Sequence, residues 1–172
     1  RDGTTSPRSC KDFQKARNVS NKSKTLKLNV HIDGGARGNP GPAGAGVVIE
    51  DAEDNSVIFQ GGFFLGKATN NVAEYQALLK ALVLADKLGA DTAEIRSDSE
   101  LLVRQMNGQY RVKNAGLKPL FERACRLKKK FHGFTIRHIR REENTAADKL
   151  VNQAINLKKN VEDAEEMDPE AV

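Results

Sequence analysis

The chain has 172 residues, 38% of them apolar and 30% charged, which suits one domain with a sizeable core plus flanking tails. No apolar run approaches membrane-span length, and no secretory apolar stretch follows the basic N-terminus. Cys10 and Cys125 form neither a disulfide framework nor a zinc-ligand spacing, so the expected setting is reducing, intracellular and cytoplasmic.

The net charge of +5 is unevenly placed. Glu162, Asp163, Glu165, Glu166, Asp168 and Glu170 crowd the C-terminal end and leave a more basic body. Such a body suits a polyanionic partner, although an ordinary solvated surface has the same composition. The chain begins with Arg rather than Met, which leaves room for residues upstream.

In chain order, residues 1–24 are polar and basic without apolar periodicity and are expected to be a disordered basic tail or linker. Leu26, Leu28, Val30 and Ile32 then alternate with polar residues, predicting a strand over about 25–33 that stops at Asp33. A Gly/Pro-rich loop follows, from Gly34 through Gly44, and Val47-Val48-Ile49 begins the next apolar run, a strand over about 44–51. Glycine lets backbone approach a ligand closely, and the same residues also serve a plain hairpin turn. A third strand runs from Val57 to Leu65, interrupted by Gly61-Gly62; the short connections predict an antiparallel meander.

Thr69-Asn70-Asn71 opens a helix whose Val72, Tyr75, Leu78, Leu79 and Leu82 repeat at helical spacing until Gly89. Residues 92–97 form a short strand ending at Asp98, and a short helix runs from Ser99 to Met106. Residues 116–131 form a basic amphipathic helix, 134–139 the last strand, and Asn144 opens the final helix. The domain therefore covers 25–159, followed by an acidic tail, 160–172, expected to be disordered. Antiparallel strands followed by strand–helix alternation predict an α/β domain with a mixed sheet.

Four carboxylates stand at strand ends or first helical turns: Asp33, Glu74, Asp98 and Asp148. Such positions gather ligand sites in α/β sheets. Each also has a structural alternative. Glu74 fits a capping box with Asn71, Asp98 fits a cap for the helix at Ser99, and Asp148 complements a helix dipole. Together at one edge they would repel one another unless a cation joined them. Oxygen donors without His or Cys select Mg²⁺ or Mn²⁺, and two such ions can activate a water and stabilise the leaving oxygen of a phosphodiester.

The segments IDGGARGNPGPAGAG, TNNVAEYQALLKAL, SDSELLVRQMNG and REENTAADKL, in this order and spacing, resemble type 1 ribonuclease H (ribonuclease HI). The resemblance implies a ribonuclease H-like fold, with a five-stranded mixed sheet (first three strands antiparallel) flanked by helices. It implies endonucleolytic cleavage of the RNA strand of an RNA–DNA hybrid, leaving 5′-phosphate and 3′-hydroxyl ends. Asp33 would bridge two Mg²⁺ ions (Mn²⁺ as a substitute), Glu74 and Asp98 completing one site and Asp148 the other. Substrate contacts fall on Gly35, Ala36, Asn39, Thr69, Asn70 and Asn71. His138 matches a histidine that helps proton transfer and product departure, with Arg141 competing for that position.

The basic insertion some members carry is absent between Asn107 and Asn114; Lys113, the basic helix around Arg123–Lys130 and the N-terminal tail are the candidates to supply phosphate contacts instead. The expected partner is the RNA–DNA hybrid, with no membrane and the protein acting as a monomer. Two alternatives stay open: the ribonuclease H domain of a reverse-transcriptase-like protein, and a non-catalytic hybrid-binding module.

Overall fold

A computed structural model describes residues 25–167. The basic segment 1–24 and residues 168–172 lie outside the described residues. Strand β1 (Lys27–Ala36) pairs antiparallel with β2 (Gly41–Asp51), which pairs antiparallel with β3 (Val57–Ala68). Helix α1 (Asn70–Lys87) leads to β4 (Thr92–Ser97), which pairs parallel with β1. Helices α2 (Glu100–Met106) and α3 (Lys118–Lys128) precede β5 (Gly133–His138), parallel to β4. A 3-10 turn, Arg141–Glu143, enters helix α4 (Thr145–Leu157).

The expectation of five strands and a disordered acidic tail from residue 160 needs correction. A sixth strand, β6 (Val161–Glu162), adds antiparallel to β3, and a short helix α5 (Ala164–Met167) follows. The sheet order is β5-β4-β1-β2-β3-β6. Lys158, in left-handed conformation at φ 53°, ends α4 and turns the chain back toward β3. There Asn160 Oδ1 accepts from the Phe64 N–H at 2.9 Å and Asp163 Oδ2 from the Gln60 N–H at 3.1 Å. Val161 is buried beside Val48, Leu150 and Ala154. One amide and one acidic side chain here bond the main chain of the sheet edge that β3 would otherwise leave unpaired.

Alternation along β2 divides the core. Val47 and Ile49 join β1, β4, α1 and α3 in the large cluster, whereas Val48 faces α4. Helix α1 is buried almost all round; each of Leu78, Leu79 and Leu82 is fully inaccessible, contributing about 1.5–3 kcal/mol by burial. Helix α4 buries one stripe: Ala147, Leu150, Val151, Ala154 and Ile155. Asp148, Asn152 and Asn156 lie outside that stripe and are exposed. Among the described residues no helix is long and apolar enough to cross a membrane.

Candidate active site

Two glycines set how closely the helices approach the sheet. A Cβ on Gly34 would lie 2.3 Å from the Ala73 carbonyl carbon and 2.5 Å from the Glu74 nitrogen. Only glycine lets β1 touch the first turns of α1, and the contact is used at once. The Gly34 N–H donates to Glu74 Oε1 at 3.0 Å. On the other face, a Cβ on Gly46 would lie 2.2 Å from the Ala147 carbonyl oxygen. Gly46 pairs with Asp33 in the β1–β2 ladder, so the first turn of α4 settles directly beside Asp33.

Helix caps dispose of the structural alternatives for two carboxylates. Thr69 is the N-cap of α1, its side chain accepting from the Val72 N–H at 3.2 Å. Glu74 therefore sits beyond the capping-box position and bonds Gly34 instead. Ser99, not Asp98, caps α2, accepting from the Leu102 N–H at 3.3 Å. Asp98 is free of that duty and points into the cleft. Asp148 does stand in the first turn of α4, where the helix dipole favours its charge.

The four converge. Carboxylate oxygens of Asp33, Glu74 and Asp98 lie within 4.8 Å of one another. Asp148 reaches the same cleft from α4, and its charge acts on Asp33. The cleft, about 180 Å³, is lined also by Gly34, Gly35, Ala36, Arg37, Asn70 and Arg141. Burial, reinforced by the charges of Asp98 and Asp148, pushes the Asp33 carboxyl up to about 8. Burial likewise drives Glu74 well above the usual carboxylate range, with Asp33 and Asp98 adding to it, while the Gly34 N–H and Arg141 pull the other way. A cluster that holds protons this tightly is short of positive charge, and its all-oxygen donors fit a hard divalent cation.

The expected substrate residues fall into two groups. Asn39 Oδ1 accepts from the Asn70 N–H at 3.0 Å, and Asn70 Oδ1 accepts from the Ala36 N–H at 3.1 Å. These bonds tie the glycine loop to the start of α1, and Gly35, Ala36 and Asn70 line the cleft. Asn39, Thr69 and Asn71 are not among the lining residues. His138 ends β5, is exposed and is not among the cleft-lining residues, whereas Arg141 is.

Two contributors escaped sequence reading. Asn144, expected only to open the last helix, is 1% exposed and makes no side-chain cap. Its Nδ2 donates to the Ile32 carbonyl at 2.8 Å, pinning the start of α4 to the middle of β1 next to Asp33. Arg37 projects from the glycine loop to Asn152 and Asn156 of α4. An Asn at a helix start signals capping, and nothing local signals a bond to a strand 112 residues away.

A six-stranded mixed sheet whose β1, together with the residue after β4, brings carboxylates to one cleft defines the class. Residues 31–154 match the family described as Reverse transcriptase-like. The N-terminal RNase H domain of Rv2228c from Mycobacterium tuberculosis superposes with a TM-score of 0.75 at 41% identity, covering 77% of this chain and 96% of that one. RNase H1 of Halobacterium salinarum gives 0.73 at 38% identity, covering 76% and 98%. LC11-RNase H1, solved in complex with an RNA/DNA hybrid, gives 0.70 at 46% identity, covering 76% and 98%. The chain belongs to the type 1 ribonuclease H (ribonuclease HI) family. It spans about a third of the length of some curated relatives, 36% of the bifunctional protein Rv2228c, at 42% identity over 131 residues.

Proposed function

We propose that this chain is a divalent-metal-dependent endonuclease that hydrolyses the RNA strand of RNA–DNA hybrids, giving 5′-phosphate and 3′-hydroxyl ends. The observation that carries the reading is the meeting of Asp33, Glu74, Asp98 and Asp148 at one cleft. It stands in a chain 46% identical to a protein whose structure holds an RNA/DNA hybrid. A non-catalytic module would not need four carboxylates forced together against their repulsion.

Asp33 would bridge two ions, Glu74 and Asp98 would complete one site, and Asp148 the other. When bound, Mg²⁺, or Mn²⁺ in its place, supplies the positive charge that polarises the scissile phosphate and activates a water. The chain's own part is placement. Gly34 fixes the rotamer of Glu74 through its N–H, Asn144 fixes the entry of α4, and the buried walls around Asp33 keep bulk water from screening the charges.

The linked amides of Ala36, Asn39 and Asn70 would lie along the minor groove with Gly35, Thr69 and Asn71, where a 2′-hydroxyl distinguishes RNA from DNA. Arg141, inside the cleft, steadies the Glu74 carboxylate by its charge. His138 would transfer a proton only after moving inward from the end of β5. A second reading has the same chemistry in the ribonuclease H domain of a longer reverse-transcriptase-like protein, and the matching family description favours it.

The test is a panel of labelled RNA–DNA, RNA–RNA and DNA–DNA duplexes incubated with Mg²⁺ and then Mn²⁺. The reading expects cleavage of the RNA strand in the hybrid alone. Equal cleavage of DNA–DNA, or none of any duplex with either ion, contradicts it.

A further inference from the structure

Arg37 leaves the glycine loop at the rim of the cleft and is exposed. Its guanidinium is nevertheless held at two points on α4. Nη1 donates to Asn156 Oδ1 at 2.6 Å and Nη2 to Asn152 Oδ1 at 3.2 Å. A carboxylate partner would hold the group and cancel its charge; two neutral amides hold it and leave the charge whole. A guanidinium has five N–H donors in a fixed plane, so donors remain for an anion.

The clamp is itself oriented by the active site. Asn152 Nδ2 donates to the Asp148 main-chain carbonyl at 3.1 Å and comes within 3.4 Å of Asp148 Oδ2. With its amide nitrogen engaged there, its oxygen must face Arg37. Arg37, Asn152 and Asp148 thus form one chain of contacts from rim to carboxylates.

A polyanion entering this cleft meets four carboxylates. Bound cations offset them at the reacting phosphate, but a neighbouring phosphate at the rim needs a cation of the protein's own. We propose that Arg37, clamped by Asn152 and Asn156, is a backbone-phosphate site for the strand that enters the carboxylate cleft. The proposal rests on the hybrid-nuclease reading for the identity of that strand. It adds a binding residue that the motif reading did not contain. The competing role is mechanical, with Arg37 only bracing the glycine loop against α4.

The test measures hybrid binding by fluorescence anisotropy across a salt series in the Asp33→Asn background, which leaves the probe uncut. Adding Arg37→Ala is expected to raise Kd about tenfold, as for loss of one charge-assisted phosphate contact. It should also reduce the log–log salt slope by about 0.7–0.9. Arg37→Lys should restore the slope with only part of the affinity, and Asn156→Ala should keep the slope while weakening binding a few-fold. An unchanged Kd and slope in Arg37→Ala, with a lowered Tm, would assign it the bracing role and overturn the proposal. Wild-type cleavage of the same hybrid, run alongside, reports on the nuclease reading separately.

Discussion

The two helices that carry carboxylates to the site are built in opposite ways. Helix α1 is embedded in the core; Glu74 is 7% exposed and fixed by the Gly34 N–H. Helix α4 rides on the sheet by one stripe and leaves Asp148 exposed, its position set by Gly46, Asn144 and Asn152. Asp33, between them, is buried and shares the cleft with both carboxylates. The buried pair carries the desolvation and the raised affinity for protons, and so has most to gain from a bound cation. On the proposed reading, the exposed side of the site is where substrate would enter and product leave.

The strongest break of that contrast is at its centre. Asp33→Asn is expected to lower kcat on the hybrid roughly a thousandfold or more, with Glu74→Gln close behind. Asp148→Asn should cost less, because an exposed carboxylate leaves water able to take its place. Steady-state rates at saturating hybrid and Mg²⁺ check the order, and an Asp148 effect larger than that of Asp33 would reverse the comparison.

Packing offers the next break. Gly46→Ala puts a methyl into the Ala147 carbonyl and must shift the start of α4. Overpacking of this kind costs about 1–3 kcal/mol, read as a Tm lowered by several degrees. The displaced Asp148 should slow cleavage per folded molecule by about ten- to a hundredfold. A lowered Tm with an unchanged rate would show that Asp148 needs no such placement.

Protons sharpen the same contrast. The folded Asp33 carboxyl is raised to about 8 from 3.8. Below the unfolded value both states hold the proton and there is no penalty. As pH rises toward the folded value the unfolded chain gives up its proton first, so the stability of the metal-free protein is lost progressively across that window. Its Tm should fall between about pH 4 and 8, with Glu74 contributing in the same direction. Mg²⁺ should restore several degrees at pH 8 and almost none at pH 4.5. A flat Tm profile, or equal Mg²⁺ stabilisation at both pH values, would contradict the buried-pair account. Asp33→Asn should abolish most of the slope.

The smallest expected effects lie at Arg141 and His138. Arg141→Ala should slow kcat about tenfold through Glu74, while His138→Ala, outside the cleft, should change it by less. A His138→Ala rate loss of about a hundredfold would show that β5 delivers the histidine inward during turnover.

Much of this was legible in the sequence because the signals were local and repeated. Alternation gave β1, apolar runs between turn residues gave β2 and β3, and helical spacing gave α1, α3 and α4. Strand and helix ends placed Asp98 and Asp148, whereas Asp33 lies inside β1 and Glu74 beyond the first turn of α1. β1 and β2 extend further into the glycine loop than the apolar pattern reaches, because residues 34–36 stay paired with 43–45. Strand β6 was not legible. Two residues among carboxylates carry no periodicity, and their pairing with β3 depends on Gly61 and Gly62 far back in the chain. The roles of Asn144 and Arg37 were hidden for the same reason, since each bonds across more than a hundred residues. Gly34 and Gly46 looked like loop and strand glycines, and only the assembled helices reveal the space they leave.

The most direct measurement follows the RNA strand of an end-labelled RNA–DNA hybrid with wild type and Asp33→Asn at equal concentrations of folded protein, with Mg²⁺ and with EDTA. The account predicts internal cuts bearing 5′-phosphate from the wild type with Mg²⁺, none in EDTA, and at least a thousandfold slower cutting by Asp33→Asn. Cutting that survives EDTA, or an Asp33→Asn rate near that of the wild type, would contradict it.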